Sequence, residues 1–85
     1  MLLDKLQTRY GIDEVEIGAV VTFMMNDIGL FNATKIFNLK RSSTGKKVLL
    51  PAEMYTIATS LSKEMYAGSL REVAPAFFKE KEKLN

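Results

Sequence analysis

The chain contains no cysteine, no histidine and no tryptophan, and it has only two prolines. Without cysteine it can form neither a disulfide framework nor a thiolate site, and without histidine the usual zinc and iron ligand sets cannot be assembled. Only a metal site built entirely from oxygen ligands remains open. We therefore expect no metal and no other cofactor.

Long apolar runs are also missing. No stretch reaches the roughly 18 uncharged apolar residues of a membrane span. The start of the chain carries Asp4 and lacks the basic leader and apolar core of a signal peptide. We expect a cytoplasmic protein that does not associate with a membrane.

Signals for catalysis are equally sparse. The segment 42–47 contains a Gly-Lys pair, but Lys40 and Lys47 occupy positions where a phosphate-binding loop needs Gly and Ser or Thr. A helix cap and its first turn explain the nearby carboxylates better than a metal site or an acid/base pair does. These carboxylates are Asp13, Glu14 and Glu16. We expect no catalytic residues and no enzymatic activity.

Charge is unevenly distributed along the 85 residues, whose net charge is only +2. No acidic residue occurs between Asp27 and Glu53, so this stretch has a local charge of +5 while the rest of the chain is net acidic. Its basic residues are Lys35, Lys40, Arg41, Lys46 and Lys47. A concentrated basic segment indicates an anionic partner, most often nucleic acid.

The first half of the chain contains one clear helix and one ambiguous segment. Apolar residues at helical spacing predict a helix over 2–10 that ends at Gly11. Residues 13–28 fit either a strand with alternating apolar residues or a helix. The Asp13–Glu16 capping box, a helix-ending Gly29 and the segment length favour the helix.

The basic stretch permits two interpretations. Asn32 would cap a short helix over 33–37, and Asn38 would end it in the left-handed conformation. Beyond it, residues 38–50 form either a basic β-hairpin around a turn at 42–45 or a second short helix that begins at Ser42 or Ser43.

The second half begins with the most regular apolar pattern of the chain. Pro51 suits a first helical position, and the spacing predicts a helix that ends near Gly68. A capping box over 69–72 should open another helix, which Pro75 should kink or restart. Residues of about 75–85 alternate in charge and are expected to form a helical arm.

Residues 30–50 also resemble the frame of a helix-turn-helix unit. Ala33 would let two helices approach closely, Asn38 would make the turn, and the polar segment 41–44 would start a helix that faces a DNA groove. The predicted fold is mainly α, a compact helical domain over 1–85 with this unit and, in the hairpin interpretation, one basic wing. The strand interpretation of 13–28 would give an α+β fold.

The segment Gly29–Phe37, GLFNATKIF, resembles the Asn-Ala-Thr segment of the KilA-N family, small DNA-binding domains of phages and large DNA viruses. In that family the segment follows a strand and a turn and opens a helix, which agrees with the strand interpretation of 13–28. The resemblance covers about twenty residues. It implies a phage-related or virus-related DNA-binding protein.

Both interpretations give the basic residues the same chemistry. Lys35, Lys40, Lys46 and Lys47 would bind phosphates, and Arg41 would bind guanine through its planar fork. The hydroxyls of Ser42, Ser43 and Thr44 would add hydrogen bonds to the DNA backbone. We expect a small transcriptional regulator of phage, virus or plasmid type that binds double-stranded DNA. The alternative is a non-enzymatic inhibitor or adaptor that docks on an acidic protein.

A homodimer is expected because a chain of this size buries only about 60–65% of its unfolded surface. Apolar residues on the helix after Pro51 and two aromatic residues of the arm would form the dimer surface. They are Met54, Ile57, Leu61, Met65, Phe77 and Phe78.

Overall fold

The computed structural model describes residues 2–66 and 75–79. They form five helices, which we number α1 to α5, and no strand occurs among these residues. The helices are α1 (Leu2–Tyr10), α2 (Glu14–Met25), α3 (Leu30–Ser43), α4 (Pro51–Tyr66) and α5 (Pro75–Lys79). The mainly α prediction is confirmed. The basic wing and the α+β alternative are not found in the described part of the chain.

Local capping signals determine where α1 and α2 meet. Helix α1 is followed by Gly11 at a φ of +66°, which a residue without Cβ adopts freely. The backbone N–H of Glu16 donates to Asp13 Oδ1 at 2.8 Å, and the backbone N–H of Asp13 donates to Glu16 Oε1 at 3.1 Å. The predicted capping box is therefore present, and the strand interpretation of residues 13–28 is wrong.

The end of α2 differs from the prediction. The helix stops at Met25, and Asp27 makes the turn with a φ of +49°. Gly29 has a φ of −59° and stands at the N-cap of α3. Gly29 therefore precedes α3 instead of ending α2, because the chain has already turned at Asp27.

Helix α3 is longer than predicted and runs through both Asn32 and Asn38. The side-chain amide of Asn38 donates to the carbonyl oxygen of Leu49 at 2.7 Å and accepts from the backbone N–H of Leu49 at 2.8 Å. Asn38 therefore fixes the following loop from within the helix. The prediction that it ends the helix is wrong.

The turn after α3 contains the predicted glycine but neither a hairpin nor a second helix. Gly45 has a φ of +76°, its N–H donates to the carbonyl oxygen of Ser42, and the N–H of Lys46 donates to that of Arg41. This pattern is a Schellman helix end. Residues 46–50 then continue without regular structure to α4, so the predicted helix-turn-helix unit is not formed.

Helix α4 begins at Pro51 as predicted, and the backbone N–H of Leu50 donates to Glu53 Oε1 at 2.9 Å. Helix α5 begins at Pro75, so this proline starts a helix. The carboxylate of Asp27 caps α5 from the other half of the chain, because its Oδ1 accepts from the N–H groups of Ala76 and Phe77 at 2.9 and 3.4 Å. The predicted capping box over 69–72 and residues 80–85 lie outside the described residues.

The core lies where α4 packs against α1, α2 and α3, with α5 against α3. The radius of gyration is 12.0 Å, close to the roughly 12 Å of a compact domain of this length. Side chains from every described helix and from the loops meet in one cluster. Its most deeply buried large members are Phe77, Met24, Leu30, Met54, Ile57 and Val20.

The residues assigned to a dimer surface belong to this core. Met54, Ile57, Leu61, Phe77 and Phe78 are all buried within the single chain. They leave little surface for a second copy, because they pack into the hydrophobic core of the single chain. The side chain of Met65 lies outside the described part of the structure.

Candidate interaction site on helices α2 and α3

The residues predicted to bind DNA are not equivalent in the structure. Six are exposed, Lys46 is half-buried and Arg41 is buried. The exposed residues are Lys35, Lys40, Ser42, Ser43, Thr44 and Lys47. The basic stretch is therefore divided between cations that face solvent and cations that hold the fold together.

Arg41 is only 3% exposed and joins four parts of the chain. Its Nη1 donates to Glu16 Oε2 at 2.7 Å, and its Nε donates to the carbonyl oxygen of Lys47 at 2.6 Å. Nη1 and Nη2 also donate to the carbonyl oxygens of Gly11 and Tyr10 at 3.4 and 3.3 Å. A guanidinium with these partners is not available to read a base, so its role in this fold is structural.

Lys46 completes what we call the charge cluster, which consists of Asp13, Glu16, Arg41 and Lys46. The Nζ of Lys46 lies 2.9 Å from Glu16 Oε1 and 3.2 Å from Asp13 Oδ2. These bonds to carboxylates raise the pKa of Lys46 above its ordinary value. The cluster thus pairs two of the five predicted DNA-binding cations with acids from the start of α2.

The carboxyls of the charge cluster are both held in their ionised form. Burial alone would raise the pKa of Glu16, but hydrogen bonds from Lys46, Arg41 and the Asp13 backbone outweigh it, so the pKa lies below its ordinary value. The pKa of Asp13 is also lowered, chiefly by the backbone N–H of Glu16 and then by Lys46. Both acids are therefore charged at neutral pH.

Three lysines remain exposed in the basic stretch. Lys35, Lys40 and Lys47 form no ion pair with any described residue. The hydroxyls of Ser43 and Thr44 both donate to the carbonyl oxygen of Lys40, at 2.7 and 3.3 Å, so they help to end α3. The positive surface is smaller than the sequence predicted, but no carboxylate within 28–52 opposes it.

An apolar groove lies beside one of these lysines, Lys40, between α2 and α3. Val15, Ala19 and Phe23 follow one another at successive turns of α2 and form one wall. Ile36 and Phe37 of α3 form much of the other wall. The groove has a volume of about 370 Å³, and we call it the α2–α3 groove.

The groove has one charged end and one apolar end. Glu16 near the start of α2 contacts Arg41 near the end of α3, so the two helices run in opposite directions. The charge cluster and Thr44 line one end, and Phe23 lies about 10 Å further along α2. Lys40 also lines the groove and is its exposed, unpaired cation. The site therefore combines apolar walls with one available positive charge.

Several apolar side chains here remain in contact with solvent. Val15 is 71% exposed and Ile36 is 48% exposed, and Leu39, one turn along α3 but outside the groove, is 66% exposed. The sequence prediction missed the groove. The available signal was a second apolar stripe on α2, Val15, Ala19 and Phe23, beside the stripe that enters the core.

Other kinds of site find little support in the described part of the chain. No group of three or more acidic side chains within it is arranged to hold a metal ion. None of its helices is both long and apolar enough to cross a membrane.

Comparison with known proteins adds no relative, since no family model, no curated protein and no solved structure matches the chain. The resemblance to the KilA-N family therefore rests on the segment Gly29–Phe37 alone. That segment lies at the start of α3 and follows a helix, α2, whereas the resemblance implied a preceding strand.

Proposed function

We propose that the protein is a non-enzymatic interaction module that binds an acidic protein partner on the face formed by the α2–α3 groove and the exposed lysines of α3 and its following loop. The observation that carries this proposal is the open apolar groove lined by an unpaired cation, Lys40. It favours the adaptor or inhibitor alternative over a DNA-binding regulator.

The apolar walls favour a protein partner because protein interfaces combine a desolvated apolar centre with a polar rim. Val15 and Ile36 are large side chains that remain accessible to solvent on opposite walls of the groove. Contact with the apolar side chains of a partner would remove them from water. A phosphate backbone offers no such contact.

The exposed lysines favour a partner that is acidic. Lys35, Lys40 and Lys47 lie on α3 and in the loop after it, without an opposing carboxylate in 28–52. Rim charges of this kind contribute chiefly to the rate of association and to the choice of partner. The groove would supply contact area while the lysines would select for acidic side chains.

Double-stranded DNA is the second candidate, and the same three lysines support it. They could bind phosphates and release counterions, as expected from the sequence. Two of the residues expected to bind DNA are engaged within the chain, because Arg41 is buried and Lys46 is paired. We therefore place DNA second.

Two fluorescent probes test the proposal. One is a synthetic 15-residue peptide of leucine, glutamate and alanine, and the other is a 20-base-pair duplex of random sequence. We expect the protein to bind the peptide in a fluorescence anisotropy titration and to bind the duplex weakly even at low salt. If the peptide does not bind, and the duplex binds tightly with a steep dependence on salt, the proposal is overturned in favour of DNA.

A matched pair of lysine variants locates the positive surface. Replacing Lys35, Lys40 and Lys47 with Gln should weaken peptide binding about tenfold, because each exposed ion pair contributes roughly 0.2–1 kcal/mol. The control replaces three other exposed lysines, Lys5, Lys63 and Lys79, on α1, α4 and α5, with Gln. Equal losses in both variants would show nonspecific attraction and contradict the proposed surface.

A further inference from the structure

We infer that the α2–α3 groove binds its partner as an amphipathic α-helix, with apolar residues facing the groove and acidic residues facing Lys40. This inference rests on the proposed function and adds the conformation and sequence pattern of the bound segment. It follows from three properties of the described residues: the backbone groups at the groove, its apolar walls and its charges.

An extended segment would find no backbone partners at the groove. Both walls are helices, whose backbone N–H and C=O groups are bonded within the helices. A strand laid between them would leave its own N–H and C=O groups unpaired against apolar side chains, which costs free energy for each group. A helix satisfies its backbone internally and avoids this cost.

The loop after α3 does not offer a strand edge either. The N–H groups of Lys46, Leu49 and Leu50 all donate within the chain, to Arg41, Asn38 and Glu53 respectively. The carbonyl oxygens of Lys47, Leu49 and Leu50 accept from other groups of the same chain. Because this irregular segment already uses most of its backbone groups, addition of a strand there is disfavoured.

The length of the apolar wall suits about two turns of a helix. Val15 and Phe23 are eight residues apart on α2, which corresponds to about 12 Å along the helix. A partner helix with apolar residues at i, i+4 and i+7 presents side chains over about 10 Å on one face. Ala19, the small residue between Val15 and Phe23, leaves space for the central side chain.

The charges then determine the polar residues of the partner. At the charged end of the groove Arg41 and Lys46 are already paired with Glu16 and Asp13, so this end presents little unbalanced charge. Lys40 lines the groove and is unpaired. A carboxylate beside the apolar face of the partner helix would therefore find an available cation.

Three 15-residue peptides test this inference on the full chain. The first places leucines at helical spacing among glutamates and alanines, the second has the same composition with alternating leucines, and the third replaces the glutamates of the first with lysines. Anisotropy should give at least about tenfold tighter binding for the first peptide than for either of the others. Its circular dichroism should gain helix on binding.

Two charge-matched variants then locate the contact. Ile36→Glu places a carboxylate in the groove and should weaken binding of the first peptide about tenfold or more, because a charge would be buried among apolar groups. Leu39→Glu makes the same change one turn along α3, outside the groove, and should change affinity less than about threefold. Ala19→Leu, which fills the groove without adding charge, should weaken binding as Ile36→Glu does.

The outcomes separate the two proposals. If the alternating peptide binds as tightly as the helical one, the inference of a bound helix is overturned and the proposed function stands. If neither glutamate peptide binds, the proposed function itself fails. Equal effects of Ile36→Glu and Leu39→Glu, with both variants folded by circular dichroism, would overturn the placement of the helix in the groove.

Discussion

The Arg41→Met variant should be strongly destabilised, because Arg41 links four parts of the chain from a buried position. Methionine replaces the aliphatic part of the arginine side chain but has no guanidinium. It therefore leaves the carboxylate of Glu16 without its shortest ion pair, which is 2.7 Å long. It also removes the donors that bind the carbonyl oxygens of Tyr10, Gly11 and Lys47. Removal of one partner from a buried ion pair costs about 3–5 kcal/mol.

That loss is large for a domain of 85 residues, whose total stability is expected to be about 4–13 kcal/mol. Each kcal/mol should lower the melting temperature by about 4–8 °C, so the variant should melt roughly 12–40 °C below the wild type. Urea unfolding followed by far-UV circular dichroism measures the free energy directly. We choose the helical signal because the chain has no tryptophan whose fluorescence could report unfolding.

The matched control is Lys40→Met, which also replaces a cation with methionine, at the preceding, exposed position of α3. It should change stability by no more than about 0.5 kcal/mol. The double variant Arg41→Met, Glu16→Gln should recover part of the loss, because it removes the carboxylate that Arg41→Met leaves with only Lys46 as its ion-pair partner. We expect a coupling energy of about 1–3 kcal/mol. A loss below about 1 kcal/mol in Arg41→Met alone would refute the structural role of Arg41.

Three further changes test other parts of the fold. The pKa of each carboxyl in the charge cluster is lowered, so their contribution to stability is complete above their ordinary pKa values and is lost as pH falls through the lowered ones. The urea concentration at the midpoint of unfolding should therefore decrease as pH falls below about 4, and this decrease should be smaller in Glu16→Gln. The raised pKa of Lys46 has the opposite sign, so its contribution should be lost only as pH rises past that pKa, and a loss near neutral pH would contradict the cluster. Asp27→Ala removes the cap of α5 and should lower the free energy of unfolding in urea by about 1–2 kcal/mol. Asp27→Asn keeps an acceptor and tolerates the positive φ, so it should lower this free energy less, and equal losses would argue against the cap. Asn38→Ala removes two hydrogen bonds to the loop backbone and should cost about 1–3 kcal/mol in the same assay. Asn32 is exposed, so Asn32→Ala should change stability by no more than about 0.5 kcal/mol. An unchanged stability in Asn38→Ala would be inconsistent with those two bonds.

Features that depend on neighbouring residues could be predicted from the sequence. The capping box of Asp13 and Glu16, the left-handed Gly11 and the helix start at Pro51 each involve groups within about one helical turn. The apolar spacing of α4 also predicted this helix, although its apolar face was assigned to a dimer surface. These signals are local, so one sequence contains the information needed to recognise them.

Features that depend on distant partners could not be predicted in the same way. Asn38 has a side chain that suits a helix end, but its amide is used by a loop residue 11 positions away. The positive φ of Gly45 fits both a hairpin turn and a Schellman helix end, and local sequence does not distinguish them. Arg41 appeared as an exposed cation because its partners on α1 and α2 meet it only in the folded chain.

The groove and the core show the same limitation for surfaces. The apolar side chains of α4 and α5 were predicted to need a partner, yet they close the core of one chain. Val15, Ala19 and Phe23 were among the alternating apolar residues of the strand interpretation of 13–28. Helix α2 instead uses its other face for the core and leaves this stripe beside α3. Which of two apolar stripes is covered depends on how the helices pack.

The most direct measurement of the proposed binding site is a titration of the isotope-labelled protein with the helical leucine and glutamate peptide, followed by backbone amide chemical shifts. The largest shifts should lie along the α2–α3 groove, at Val15, Ala19, Ile36 and Lys40. Largest shifts confined to the loop 46–50 or to the opposite face on α4, with those groove amides unchanged, would contradict the α2–α3 groove as the binding site.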